Sequence, residues 1–455
     1  MHRALCPVET LYVGQRSRGV LFCTLRGQVD AGALSVAFDA VTETSPTLRS
    51  RIAPDGRGFA LHLLPESERP RLITRTGHED ARSAELNAPL PVGGPLVRAV
   101  LVSTPGGDRH LFVLAVDHTI SDGHSIIALH NTVWEHYRAL VEGGADAPEA
   151  LDAPEALSAG EVRKASAAAP RWPRPVSALL PDTDPVAVAA YLERRIEETR
   201  KHPVQLLPYD VPRPAGDGSE PAADGRIEVC RLTLDEERTD RLRRTAREAG
   251  LSVHSLLAAS LLTTARGRLE GDGPRTLGCL SPVDLRSRLS PPLPAAVMVP
   301  AVTAHLQSVD VAGDTDPMVL ARTVHTRLRD SIARADQENE LRITTEVPRN
   351  PALQTATVIA TNMGVVAGPR LPAGLYATDV RLVPARENYF PQAGRSPLMA
   401  CVVSFEGRLA IEFPHSTACF SPAFMRAFRD DVLARLLVLT EAGAPTPAPA
   451  PAIAR

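Results

Sequence analysis

Residues 110–123 read HLFVLAVDHTISDG. The run from His110 to Val116 has the apolar character of a buried strand, and it ends abruptly in Asp117, His118, Ser121, Asp122 and Gly123. Side chains alternate along an extended chain. Phe112, Leu114, Val116 and His118 therefore share one face, and Leu111, Val113, Ala115 and Asp117 share the other. Asp117 and His118 cannot both enter one cavity unless the strand has already turned. Gly123 permits a tight bend, and Asp122 or Ser121 supplies a cap for a helix that follows.

Working outward, PLVRAVLVST and HLFVLAVDH form an antiparallel pair joined by the turn PGGD. DGHSIIALHNTVWEHYRALVEG reads as an amphipathic helix. Upstream, GVLFCTLRGQV is a strand, and Asp30 caps a helix whose stripe is Ala33, Phe38 and Val41. FALHLL and PRLITR are short strands. An Ala- and Pro-rich link follows at 143–186, then a helix near 187–201 and a loop at 212–225. From RIEVCRLTL the order of element types repeats: a strand, two helices, the strand TLGCLSPVDL, the strand VPAVTAHLQSV, a helix near 315–333, then ATVIATN, LMACVVSF and LAIEFPH before a closing helix. The expected class is α/β (α+β). The divisions are an N-terminal lobe at 1–182, a linker or crossover at 183–225, a C-terminal lobe at 226–440 and a low-complexity tail at 441–455.

Composition narrows the function. The chain has 455 residues, 44% hydrophobic and 23% charged, which is globular and long enough for two domains. Lys plus Arg (50) nearly balances Asp plus Glu (53), so no electrostatic footprint for nucleic acid appears. The cysteines at 6, 23, 230, 279, 401 and 419 make no CxxC pair and no zinc spacing, and most sit in apolar runs as expected free thiols. No metal site, signal peptide or stable membrane insertion is expected, and a cytoplasmic setting fits.

DHTISDG resembles the HHxxxDG motif of nonribosomal peptide condensation domains and their acyltransferase relatives. His118, Asp122 and Gly123 match its second His, its Asp and its Gly, while Asp117 stands where the first His would be. SPTLRSRI at 45–52 resembles the family's HPxLR segment, PLVRAVLV at 95–102 its next strand, SPVDLRSRL at 281–289 its DLR segment and TNMG at 361–364 its S/T-N-x-G segment. The resemblance spans about residues 1–440, and ALCPVE with the DLR and TNMG segments is most like the freestanding polyketide-associated acyltransferases. It implies two chloramphenicol-acetyltransferase-like lobes in a V-shaped pseudo-dimer with a channel between them.

The resemblance also assigns roles. His118 becomes the catalytic base; an imidazole with an ordinary pKa near ~6.5 can take a proton from a hydroxyl or amine near neutrality. Asp122 pairs with Arg286 in an expected buried, bidentate contact that ties the motif to the other lobe, with Asp284 reinforcing the corner. Ser125 and Thr119 are candidate oxyanion donors, and Ser121 is a turn residue. Thr361, Asn362 and Gly364 are expected beside the channel, with His415 near it. Asp117 either hydrogen-bonds His118 Nδ1 or, as alternation favours, pairs with an arginine such as Arg98. His254 and His305 read as ordinary polar groups.

The implied reaction moves an acyl group from a carrier-protein or CoA thioester to a hydroxyl or amine of a specialised metabolite. No cofactor is expected beyond the donor's phosphopantetheine. The expected partners are an acyl carrier protein and a small-molecule acceptor. Two alternatives compete: a catalytically inactive platform that recruits another enzyme, toward which the loss of the first His points, and cyclisation or dehydration in the same cavity. A channel converging on His118 discriminates for catalysis.

Overall fold

A computed structural model describes residues 2–56, 58–77, 80–143, 172–211, 225–387 and 394–441. The Ala- and Pro-rich link from 144, the loop at 212–224 and the tail from 442 lie outside the described residues.

Two sheets organise the chain. The first has five strands in the order Tyr376–Arg386, Ser17–Arg26, Arg109–Asp117, Val97–Ser103 and Leu72–Thr76. The strand read from the opening sequence is therefore central, antiparallel to both neighbours. Its alternation is realised. Phe112, Leu114 and Val116 enter one core together with helices Ala31–Thr44 and Gly123–Glu142, while Val113 and Ala115 enter a second core on the opposite face. Asp30 caps the first helix, accepting from the N–H groups of Gly32 and Ala33 at 2.8 and 3.0 Å. Trp134 of the second helix is fully buried and donates to His130 Nε2 at 3.1 Å. Trp134→Ala would cost about 3–5 kcal/mol through the cavity left behind.

The second sheet has six strands in the order Val302–Val311, Arg275–Asp284, Val358–Val365, Leu398–Phe405, Arg408–Ser416 and Ile227–Leu234. Helix Val253–Arg266 packs beneath it and is buried from Ser255 to Arg266. A helix covered on all sides must satisfy its own polar groups. Ser260, Thr263 and Thr264 do so by donating back to the carbonyls of Leu256, Ala259 and Ser260 at 2.8–3.0 Å. Among the described residues no helix is long and apolar enough to cross a membrane, and the six cysteines are unpaired.

One strand crosses the expected divisions. Strand Tyr376–Arg386, inside the segment assigned to the C-terminal lobe, pairs antiparallel with Ser17–Arg26 and forms the edge of the first sheet. Its Pro384 is tolerated because an edge strand leaves one side of its backbone unpaired. The segment read as a crossover holds helix Pro185–Lys201, whose Tyr191 and Arg195 donate to Glu340 of the second lobe at 2.8 and 2.9 Å.

Candidate active site

Where Arg109–Asp117 ends, the chain turns at once. Asp117 Oδ1 accepts from the Thr119 N–H at 2.8 Å, and Ser121 Oγ donates to the Asp117 carbonyl at 2.8 Å. The His118 N–H donates to the Ser17 carbonyl at 2.9 Å, so the backbone of His118 is still held to the neighbouring strand. Asp122 then caps helix Gly123–Glu142 by accepting from the Ser125 N–H at 2.8 Å. The Ser125 hydroxyl closes a reciprocal capping box by accepting from the Asp122 N–H at 2.9 Å. Ser125 is fully buried in that cap and does not line the cavity, which removes it as an oxyanion donor. Thr119 is likewise buried away from the cavity.

The second oxygen of Asp122 reaches the other lobe. Oδ2 accepts from Arg286 Nη2 at 2.8 Å and from the Ala301 N–H at 2.9 Å. The expected pairing is present, but it is not bidentate. Nη1 and Nη2 also donate to the carbonyls of Pro294, Val297 and Val299 at 2.7–3.2 Å, while Nε makes no hydrogen bond. Arg286 thus gathers the loop before strand Val302–Val311, and Asp122 closes the knot. Asp284 reinforces the corner by accepting from the Arg286 N–H at 3.1 Å.

His118 stands over a cavity of about 280 Å³ walled by both lobes. Its ring stacks on Tyr12 with centroids 4.0 Å apart and planes within 4°. Nδ1 is sealed and makes no hydrogen bond, whereas Nε2 is accessible on a ring that lines the cavity. Burial holds the imidazole below its ordinary pKa. The backbone at His118 and Ser121 and the charge of Asp122 oppose that shift, and Arg386 adds to it. The ring is therefore neutral near pH 7, with a free lone pair or proton at Nε2 facing the space where a substrate would sit.

Thr361 and Asn362 line the same cavity from the second lobe. Asn362 Oδ1 accepts from the Gly364 N–H at 2.9 Å and holds a bulge there, where Gly364 has φ +68°. Gly123 lines the cavity too, but not as a tight bend: it is the first helical residue with ordinary backbone. A Cβ there would meet Met363 Sδ at 2.7 Å and Leu382 Cδ2 at 3.1 Å, so a larger residue would have to displace those two side-chain ends. His415 does not line this cavity. It borders a smaller one of about 40 Å³ behind Ile359, Pro384, Arg386 and Met399, and its Nδ1 lies 3.1 Å from the Phe413 carbonyl.

Asp117 departs from both expectations. It does not contact His118 Nδ1, and Arg98 is engaged with Glu85 and the carbonyls of Glu85, Ala88 and Pro89. Asp117 instead faces a separate cleft beside Arg16 and Arg18, where burial raises its pKa against the pull of the Thr119 hydrogen bonds and those two arginines. His254 donates to or accepts from Ser281 Oγ at 2.9 Å, and burial lowers its pKa to about 4. His305 sits 3.4 Å from Glu340.

Sequence reasoning missed Tyr12, His124 and the residues of the crossing strand. Tyr12 lies on helix Pro7–Gln15, and Leu382, Pro384 and Arg386 project from alternate positions of strand Tyr376–Arg386 onto the cavity. The signal for the strand was its alternation, obscured by Asp379, Arg381 and Pro384. His124 was adjacent to the motif; its Nε2 lies 4.0 Å from Asp284 Oδ2 of the other lobe. Among the described residues no cluster fits a metal ion.

Residues 223–414 match the family described as phthiocerol/phthiodiolone dimycocerosyl transferase C-terminus. Over 403 residues the chain is 24% identical to a phthiocerol/phthiodiolone dimycocerosyl transferase of Mycobacterium leprae, covering 85% of this chain and 86% of the relative. The fold is similar to polyketide synthase associated protein 5 from Mycobacterium tuberculosis, with a TM-score of 0.69 at 22% identity over 97% of this chain and 99% of that one. It is also similar to the first condensation domain of the calcium-dependent antibiotic synthetase, with a TM-score of 0.66 at 18% identity over 98% of both chains.

Proposed function

We propose that this chain, whose affinities lie with the condensation-domain and acyltransferase superfamily and there with the polyketide-associated acyltransferases, carries an acyl group from a thioester to a hydroxyl or amine of a specialised metabolite. The observation that carries this reading is His118, a neutral imidazole with Nε2 open to a cavity that both lobes enclose. The donor is an acyl thioester on the phosphopantetheine of a carrier protein or of CoA, and the setting is cytoplasmic.

The chemistry follows from the residues. His118 Nε2 takes the proton of the acceptor as its oxygen or nitrogen attacks the thioester carbonyl carbon. The tetrahedral intermediate collapses with cleavage of the C–S bond, and the departing thiolate recovers a proton from the imidazolium. Asp122 and Arg286 neutralise one another and hold the motif turn, so they fix where His118 stands. The platform reading loses its support here, because Asp117 faces away from the cavity and the cavity is open beneath His118.

The test is detection of acyl transfer by mass, using octanoyl-carrier and octanoyl-CoA donors with a panel of alcohols and amines. Wild type is expected to give product, and a folded His118→Ala variant to lose it. The acid limb of kcat/KM should have an apparent pKa below the ordinary ~6.5 of histidine, because burial lowers that of His118. Product undiminished in a folded H118A would remove His118 as the base.

A further inference from the structure

A base at His118 leaves the other half of the chemistry unprovided for: the carbonyl oxygen that turns negative when the acceptor adds. The side chains first suspected are unavailable. Ser125 is spent in the helix cap and Thr119 lies off the cavity. Ser17 lines the cavity, but its hydroxyl is sealed. Asn362 spends its side-chain carbonyl on the Gly364 N–H, which leaves only its Nδ2 amide as a donor. Tyr12 differs from all of these. It is in ring contact with His118, it lines the same cavity, and its hydroxyl is neither sealed nor hydrogen-bonded among the described residues.

Resting on the acyl-transfer reading, we propose that Tyr12 is a catalytic residue whose phenolic O–H donates a hydrogen bond to the thioester carbonyl oxygen as it becomes an oxyanion, while its ring keeps His118 Nε2 aimed at the acceptor. The step balances without an added reactant. The acceptor's proton passes to Nε2, the new bond forms at the carbonyl carbon, and the carbonyl π pair moves onto the oxygen. Tyr12 stabilises that charge without giving up its proton, and the pair returns as the C–S bond breaks. The phenol suits this role. Burial holds its pKa at about 12, with Arg386 and Asp122 pulling in opposite directions, so it remains a donor wherever His118 works as a base. A preorganised donor in a closed site acts more strongly than one in water.

The experiment compares Tyr12→Phe and Tyr12→Leu with wild type in kcat, donor KM and pH profile. Y12F keeps the stacked ring and loses only an unbonded hydroxyl, so its thermal stability should match wild type. Its kcat should fall about 100-fold, with donor KM within about threefold and the acid limb unmoved. Y12L should lose more and move its acid limb up toward free histidine, because water reaches the imidazole. A Y12F variant with wild-type kcat overturns the proposal. One that loses kcat while its acid limb moves assigns Tyr12 to positioning His118 and overturns the hydroxyl's role. Two CoA probes decide the matter even without a known acceptor: an octyl thioether, and a trifluoromethyl ketone whose hydrate has a tetrahedral carbon. Y12F should weaken only the ketone, by about tenfold or more. Equal affinity for the ketone in wild type and Y12F refutes the donor, whereas a wild type that binds neither probe, carried on CoA or on a carrier protein, refutes the acyl-transfer reading beneath it.

Discussion

Asp122–Arg286 and Asp379–Arg231 both join a carboxylate on the side of the first sheet to an arginine of the second lobe, at 2.8 and 2.7 Å. Their surroundings differ. Asp122 and Arg286 have side chains 4% and 5% exposed, and they touch through a single N–H···O bond. The carboxylate also accepts from the Ala301 and Ser125 N–H groups, and Nη1 and Nη2 also donate to three carbonyls. Asp379 and Arg231 are 24% and 21% exposed and meet in a bidentate fork, with Nη1 and Nη2 at 2.7 and 2.8 Å from the two oxygens. The fork expected at the motif is thus found on the crossing strand, at the site where water can share the load. At the motif Oδ1 is given to the helix cap and Oδ2 to Arg286 and the Ala301 N–H. The motif pair is accordingly a node in a backbone network, and the crossing pair is a clasp between strands.

The largest expected effect breaks the node. Asp122→Ala leaves Arg286 charged and buried without its carboxylate and removes the cap of helix Gly123–Glu142. Removal of one partner of a buried pair costs about 3–5 kcal/mol, and urea unfolding should register that loss. Loss of transfer activity should accompany unfolding, since the same turn carries His118. A D122A variant with wild-type stability would show that the node is decorative.

Arg231→Met, at the clasp, should cost less, about 1–2 kcal/mol, because the charge left on Asp379 keeps solvent and Arg381 at 2.7 Å. The clasp also carries a pH signature. Burial would raise the pKa of Asp379, but Arg231 and Arg381 together outweigh it and hold it down to about 2, against the ordinary carboxylate value of 3.8. A depressed folded pKa contributes stability that is fully present above pH 3.8 and is lost as pH falls toward 2. Wild type should therefore exceed Asp379→Asn by about 2 kcal/mol at neutral pH, with the gap closing in acid. Glu412 behind them shows the opposite balance: burial lifts its pKa despite Arg231 and Arg381. An acid titration in which the two proteins keep a constant difference would dissociate Asp379 from the clasp.

The same contrast marks what the sequence could disclose. The node lies in local patterns: an apolar run, a capping Asp and a charged turn after a strand, with the long-range pairing supplied by family resemblance. The clasp depends on strand Tyr376–Arg386 crossing to an edge of the first sheet, and long-range pairing of a polar, proline-containing segment has no local signature. Tyr12 was hidden for a related reason. A short helix at residues 7–15 has little periodicity to read, and its meeting with His118 is a fact of tertiary packing. Alternation did foretell that Asp117 and His118 face apart, because a strand's two faces are fixed by covalent geometry. It could not say which arginines Asp117 would find.

Asp117 belongs to neither tie, and the smallest expected effect lies there. Its Oδ1 holds the Thr119 N–H, a bond that an amide oxygen can also make. Its charge is disfavoured by burial, which raises its pKa. A raised carboxylate pKa means that the ionised form weakens the fold as pH rises through the folded value. Asp117→Asn retains the acceptor and deletes the charge at the expense of the attraction to Arg16 and Arg18. At neutral pH its melting temperature should equal or exceed that of wild type, and turnover should stay within about threefold because the side chain opens on a different cleft from His118. A D117N variant that folds but loses transfer by about 100-fold would couple the two faces of the motif strand. It would also mean that the residue standing in place of the first motif histidine acts through the turn on His118, and that the contrast between node and clasp omits a third link.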